Sequence, residues 1–244
     1  MPHFFSNRRR SHGVLAAVAD SRAHFRWETV NAVVYTVGGV IFIVGSVLFF
    51  PGLAAWEDYG AGAFLAGSLL YLLVTGHDVL EVVVAQRQAQ RQAQRQAQPS
   101  RSIWRAIELS AATAYFAGTV LFVGGSVCFF STVDMVATGA WSFLIGSLLF
   151  VFGALANILQ IVLAATLKTM QLLNLTAVSF VVGSVLFAVA SVPFLWDVAA
   201  SADRRLLDGY LAWLFVVGSV LFLVGGLFNY WRAWLVVHGA PARR

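Results

Sequence analysis

Gly45-Ser46-Val47-Leu48-Phe49 is a run of small and apolar residues that returns five more times along the chain. The other copies are Gly67-Ser68-Leu69-Leu70-Tyr71, Gly125-Ser126-Val127-Cys128-Phe129, Gly146-Ser147-Leu148-Leu149-Phe150, Gly183-Ser184-Val185-Leu186-Phe187 and Gly218-Ser219-Val220-Leu221-Phe222. Each copy sits in its own long apolar segment, and the six segments run at 30–52, 59–84, 106–130, 136–165, 169–192 and 207–237. Segments of this length cross a hydrocarbon layer roughly 30 Å thick. Lipid offers the backbone no hydrogen-bond partners, so the segments are expected as helices rather than strands. The predicted fold is an all-α integral membrane bundle of six transmembrane helices, built from three tandem helical hairpins.

Composition points the same way. The 244 residues are 59% hydrophobic and 11% charged, with a mean hydropathy of +0.79. A soluble domain carries about 25% charged residues, and so few charges cannot cover a water-facing surface. The lone Cys128 excludes an internal disulfide and a thiol-based metal site. Basic residues flank the spans instead of forming a stripe or groove, so nucleic acid is not an expected partner.

Residues 1–29 form a basic arm with Arg8, Arg9, Arg10, Arg22 and Arg26. Its apolar stretch, Gly13 to Ala19, is short and ends at Asp20, so a cytoplasmic arm is expected there rather than an export signal. Residues 86–105 are a Gln/Arg/Ala linker in which Arg87, Arg91 and Arg95 stand four apart and would share one helix face. A helical extension on anionic lipid and a plain linker both fit. With the N-terminus inside, fourteen of the sixteen Arg and Lys residues fall on the inner side, and only Arg204 and Arg205 fall outside. The positive-inside rule then places both termini in the cytoplasm.

The repeat is visible pair by pair. Tyr35, Gly38, Phe42 and Gly45-Ser46-Val47 align with Tyr115, Gly118, Phe122 and Gly125-Ser126-Val127, and Glu28 meets Glu108. Asp78-Val79-Leu80-Glu81 meets Asn157-Ile158-Leu159-Gln160, and Asn229 takes the same place in the sixth segment. A fixed period marks duplication of one unit, and every unit starts and ends on one side, as parallel repeats do. The units are 30–85, 106–165 and a divergent third at 166–237, followed by a tail at 238–244. Closure into a bundle with approximate threefold symmetry is expected.

Trp27-Glu28-Thr29-Val30-Asn31, then Val44-Gly45-Ser46-Val47-Leu48-Phe49-Phe50 and, past a short loop, Phe64-Leu65-Ala66-Gly67-Ser68-Leu69-Leu70 resemble the YrhK-like domain, a small two-helix bacterial membrane domain. The resemblance covers the first hairpin well, the second clearly and the third in part. It implies a fold and a place in the bacterial inner membrane, and no chemistry.

Counting from the loops puts all six motif glycines at one level in the outer half of the bilayer. Small residues recur seven positions away, among them Gly38, Gly60, Gly118, Gly139, Gly153 and Gly225. A spacing of seven keeps one seam on one face, and glycine lets backbones approach closely where lipid gives no hydrophobic drive. Gly45, Ser46, Gly67, Ser68, Gly125, Ser126, Gly146, Ser147, Gly183, Ser184, Gly218 and Ser219 are therefore expected as a helix-contact layer, each serine bonding its own helix carbonyl. The competing view is a ring of hydroxyls along a polar path.

His77, Asp78 and Glu81 cluster in the second segment, and ionisable residues in a span are functional candidates. An ion or proton site and simple interfacial ion pairing both fit them. No phosphate loop, metal-protease spacing or nucleophile–base pair stands out, so no catalytic residue, cofactor or metal is expected. The expected function is a non-enzymatic structural or accessory membrane protein. Its partners would be the bilayer, anionic lipid at the basic inner segments, and a membrane protein or a second copy of itself. A small channel or transporter is the alternative.

Overall fold

The computed structural model describes residues 21–95, 103–159, 167–196 and 201–238. Those residues form six α-helices: α1 (Ser21–Leu48), α2 (Glu57–Arg95), α3 (Ile103–Cys128), α4 (Val136–Ile158), α5 (Leu167–Ser191) and α6 (Ser201–His238). All six are long and apolar enough to cross a membrane. The basic arm at 1–20, the tail at 239–244, and Gln160 lie outside the described residues. Residues 86–95 of the linker are helical and continue α2 without a break. Gln86 Nε2 ties this extension to α3 by donating to the Arg105 carbonyl at 2.7 Å.

Local chemistry sets the turns. Proline cannot continue a helix and pushes the residue before it towards extended backbone. Phe50 is extended, and Pro51 opens a short 3-10 stretch, Pro51–Trp56, that leads into α2. Pro193 lies in a similar stretch, Val192–Leu195, just after α5. Between α3 and α4, Asp134 takes a positive φ of 50°, a conformation that aspartate tolerates better than most residues, and the Met135 N–H donates to the Cys128 carbonyl at 3.1 Å.

The helices form a closed ring. Each packs against its neighbours in the chain, and α6 returns to pack against α1. Three hairpins related by approximate threefold symmetry therefore surround one axis, as the repeat implied. Aliphatic side chains such as Val33, Val40, Leu73, Leu148, Val178 and Val217 face outward, whereas aromatic and small residues fill the interior. This inverts the usual pattern only in appearance, because lipid is a good solvent for the outer Val and Leu surface.

Candidate functional site

Glycines make the close helix contacts within each hairpin. A Cβ on Gly45 would sit 2.8 Å from the Phe64 ring and 3.2 Å from the Gly60 carbonyl, and one on Gly67 would meet Phe42 and the Gly38 carbonyl. The second hairpin repeats this with Gly125 against Phe143, Gly139 against the Gly125 carbonyl, and Gly146 against Phe122 and Gly118. Each glycine thus leaves a socket that an aromatic ring from the partner helix fills.

The register differs from the single level expected of the six copies. In the first two hairpins Gly45 faces Gly60 and Gly67 faces Gly38, so the copies are seven residues out of step across the pair. Helix ends explain the offset: α1 stops at Leu48, three residues after Gly45, whereas α2 starts at Glu57, ten before Gly67. In the third hairpin Gly183 faces Gly218 directly. Gly183 therefore takes the place of Gly38 and Gly118, Phe187 that of Phe42 and Phe122, and Ser191 that of Ser46 and Ser126.

The serines split by helix. Ser46, Ser126 and Ser191 are fully buried, and each donates to the carbonyl four residues back at 2.7 Å. Ser184 does the same with Phe180. Ser68 and Ser147, on the second helices, are equally buried, and their hydroxyls have no hydrogen-bond partner among the described residues. Ser219 meets Ser46 across α6 and α1 at 3.2 Å.

Aromatic rings close the axis. Phe64, Phe143 and Phe215 come from α2, α4 and α6 and meet one another with centroids 5.8, 5.8 and 6.5 Å apart. Next to them Phe42, Phe122, Phe187, Tyr71, Phe150 and Phe222 form a second layer. The cavity that this layer encloses, with Ser68 and Thr119 in its wall, has a volume of about 10 Å³. That is the size of a single water site. Tyr35 and Tyr115 flank Phe180 in a third layer, and the Tyr35 hydroxyl donates to the Phe222 carbonyl at 2.9 Å.

These rings were missed as a site in the sequence, although their signal was present. Every motif glycine has Phe three residues before it and Phe or Tyr four residues after it, from Phe42 and Phe49 around Gly45 to Phe215 and Phe222 around Gly218. A glycine with aromatics on both sides of one helix face is a socket beside two pegs.

Towards the helix ends that carry the termini lies a polar layer. Asp78, Asn229 and Arg232 are buried, each at most 5% exposed. Asp78, Asn157 and Asn229 occupy the same repeat position on α2, α4 and α6, and Glu81 and Arg232 share another. Arg232 Nη2 donates to Asn229 Oδ1 at 2.7 Å. His77 and Glu81 face α1 instead. Asn31 Nδ2 lies 3.1 Å from His77 Nδ1, which is thereby an acceptor, and His77 Nε2 lies 3.9 Å from Glu81 Oε1. Asp78 is directed into the ring, while His77 and Glu81 remain about one-third exposed. Among the described residues no group of three His, Cys, Asp or Glu side chains is placed to hold a metal ion.

A closed ring of six apolar helices, with aromatic layers along its axis and charges confined to its ends, defines a multi-pass membrane bundle built from repeated hairpins. Residues 25–83 and 105–162 each match the family model of YrhK-like protein. These two tandem units thus belong to the YrhK-like family, and the third hairpin repeats their glycine–aromatic geometry beyond the matched residues. The chain matches no curated protein and no solved structure.

Proposed function

We propose that this protein is a non-enzymatic structural or accessory component of the bacterial inner membrane, with both termini in the cytoplasm. The observation that carries the proposal is the meeting of Phe64, Phe143 and Phe215 on the axis. A transport path needs polar groups at successive depths, and here the mid-membrane axis is occupied by interlocked rings. The outer Val and Leu surface offers itself to lipid or to another membrane protein, and the exposed Arg87 and Arg91 on the α2 extension suit anionic headgroups.

Single cysteines test this. In a Cys128→Ser background, cysteines replace Ser46, Ser68, Ser126, Ser147, Ser184 and Ser219 one at a time, and intact cells are treated with a membrane-impermeant thiol reagent. Thiols must ionise to react, so labelling reports water. The expected result is no labelling at these six positions, labelling of a Gly52→Cys control, and labelling of Gln90→Cys only after permeabilisation. Labelling of several serine positions would replace the scaffold by a water-filled path, and labelling of Gln90→Cys in intact cells would reverse the orientation.

A further inference from the structure

Two of the three corners at which hairpins meet differ at the ends carrying the hairpin turns. Where the second hairpin meets the first, Asp58 accepts from the Ser131 backbone N–H at 2.8 Å and from its hydroxyl at 2.6 Å. Phe130 lies over Gly62 beside this latch. Where the first hairpin meets the third, the same repeat positions hold Pro51 and Gly209, which make only apolar contact at 3.8 Å. Phe50 now lies against Trp213. Proline has no N–H and glycine no carboxylate, so this corner cannot be latched.

A cavity of about 100 Å³ occupies the unlatched corner. Its floor is aromatic, with Phe49, Phe194 and Phe215 drawn from two hairpins. Its rim is charged, with Glu57, Arg204 and Asp208. Arg204 Nε donates to Asp208 Oδ1 at 3.1 Å, so these two charges offset each other. The Glu57 backbone N–H donates to the Ala54 carbonyl, whereas its carboxylate, whose charged neighbours are Asp208, Asp58 and Arg204, makes no hydrogen bond or ion pair among the described residues. The rim therefore carries one carboxylate without an ion-pair partner among the described residues, beside three aromatic side chains.

We propose that this cavity binds a small primary alkylammonium ion. The ammonium sits against the Glu57 carboxylate, and the short alkyl body lies on Phe49, Phe194 and Phe215. The apolar lining takes the alkyl body out of water, and the rim carboxylate supplies the charge that matches the ammonium. An anion would meet two carboxylates and one guanidinium already engaged. The volume limits the guest to a few heavy atoms, whether a free amine or the ethanolamine headgroup of a lipid. So few atoms imply a dissociation constant on the order of 1 mM for a free amine. This goes beyond a scaffold role and does not depend on it.

The test is calorimetric titration of the purified full chain in detergent with n-butylammonium, with n-butanol as the uncharged counterpart. Glu57→Gln is compared with Asp58→Asn, an adjacent acid held by Ser131 outside the cavity, and thermal melting checks that both variants fold. Saturable binding of n-butylammonium but not n-butanol is expected, weakened about tenfold or more by Glu57→Gln and less than about twofold by Asp58→Asn. No saturable binding, or equal weakening by the two variants, overturns the proposal. Native mass spectrometry separates the sources. A phosphatidylethanolamine that co-purifies and is displaced by n-butylammonium from the native chain supports the lipid headgroup, whereas amine binding without such a lipid supports the free amine.

Discussion

The glycine–aromatic layers and the polar layer are both threefold in position, yet only the first keeps one kind of side chain at every equivalent place, aromatic throughout with Tyr35, Tyr71 and Tyr115 standing among phenylalanines. Along the axis, Phe42, Phe122 and Phe187 are the same residue in equivalent places, and so are Phe64, Phe143 and Phe215. In the polar layer, one position reads Asp78, Asn157 and Asn229, and another pairs Glu81 with Arg232 across repeats. A closed ring needs like contacts at every seam, because each aromatic fills a socket made by the next helix. Buried polar groups need partners rather than likeness, so complementary residues satisfy them equally well. The difference teaches that these repeats share an architecture while their end groups are individual.

The sharpest way to break this comparison is to fill a socket. A Cβ on Gly118 would lie 2.6 Å from the Phe150 ring and 2.9 Å from the Gly146 carbonyl, whereas one on Gly124 meets nothing within 4 Å. Gly118→Leu should cost about 3 kcal/mol or more, and Gly124→Leu should be close to neutral, as read from unfolding in detergent. Equal effects would mean that the sockets do not hold the ring. In the polar layer, Arg232→Ala removes the bond to Asn229 and should cost about 2 kcal/mol. An unchanged unfolding midpoint would show that the layer is not structural.

Smaller effects sharpen the contrast between first and second helices. Ser46→Ala loses its bonds to Phe42 and Ser219 and should cost about 1 kcal/mol, whereas Ser68→Ala loses none and should change stability by less than about 0.5 kcal/mol. A larger loss for Ser68→Ala would mean that this hydroxyl is bonded after all. The smallest effect belongs to the turn ends. Asp58→Ala should lower the melting temperature by less than Ser46→Ala does, because the latch lies in water. In a Cys128→Ser background, paired cysteines at Asp58 and Ser131 should cross-link readily on oxidation, and failure to do so would remove the latched corner.

Much of the architecture was legible from repeated residues. Six copies of one motif in six apolar segments announced three hairpins, and the two family matches fall on the first two of them. The site was less legible. His77, Asp78 and Glu81 are neighbours in sequence, but a helix sends Asp78 into the ring and turns His77 and Glu81 towards α1, where Asn31 waits forty-six residues away. Arg232 is one of the fourteen inner-side basic residues of the charge count, and nothing in its neighbours on the chain marks it as buried.

The chain's composition and periodicity were enough to fix six spans, their order in hairpins, and the duplication that relates them, because lipid forces helices and glycine at a spacing of seven forces a seam. The register of those seams came from three dimensions. A helix slid by seven residues presents nearly the same face, so Gly45 against Gly60 and Gly45 against Gly67 look alike on paper, and only the fit of Phe64 and Phe42 into their sockets chooses between them. The closed axis followed from the same fit, since a ring of six helices encloses a pore or a plug according to where its aromatic side chains meet. The unlatched corner also belongs to the fold, for Pro51 and Gly209 lie 158 residues apart and acquire meaning only when α6 comes back to α1.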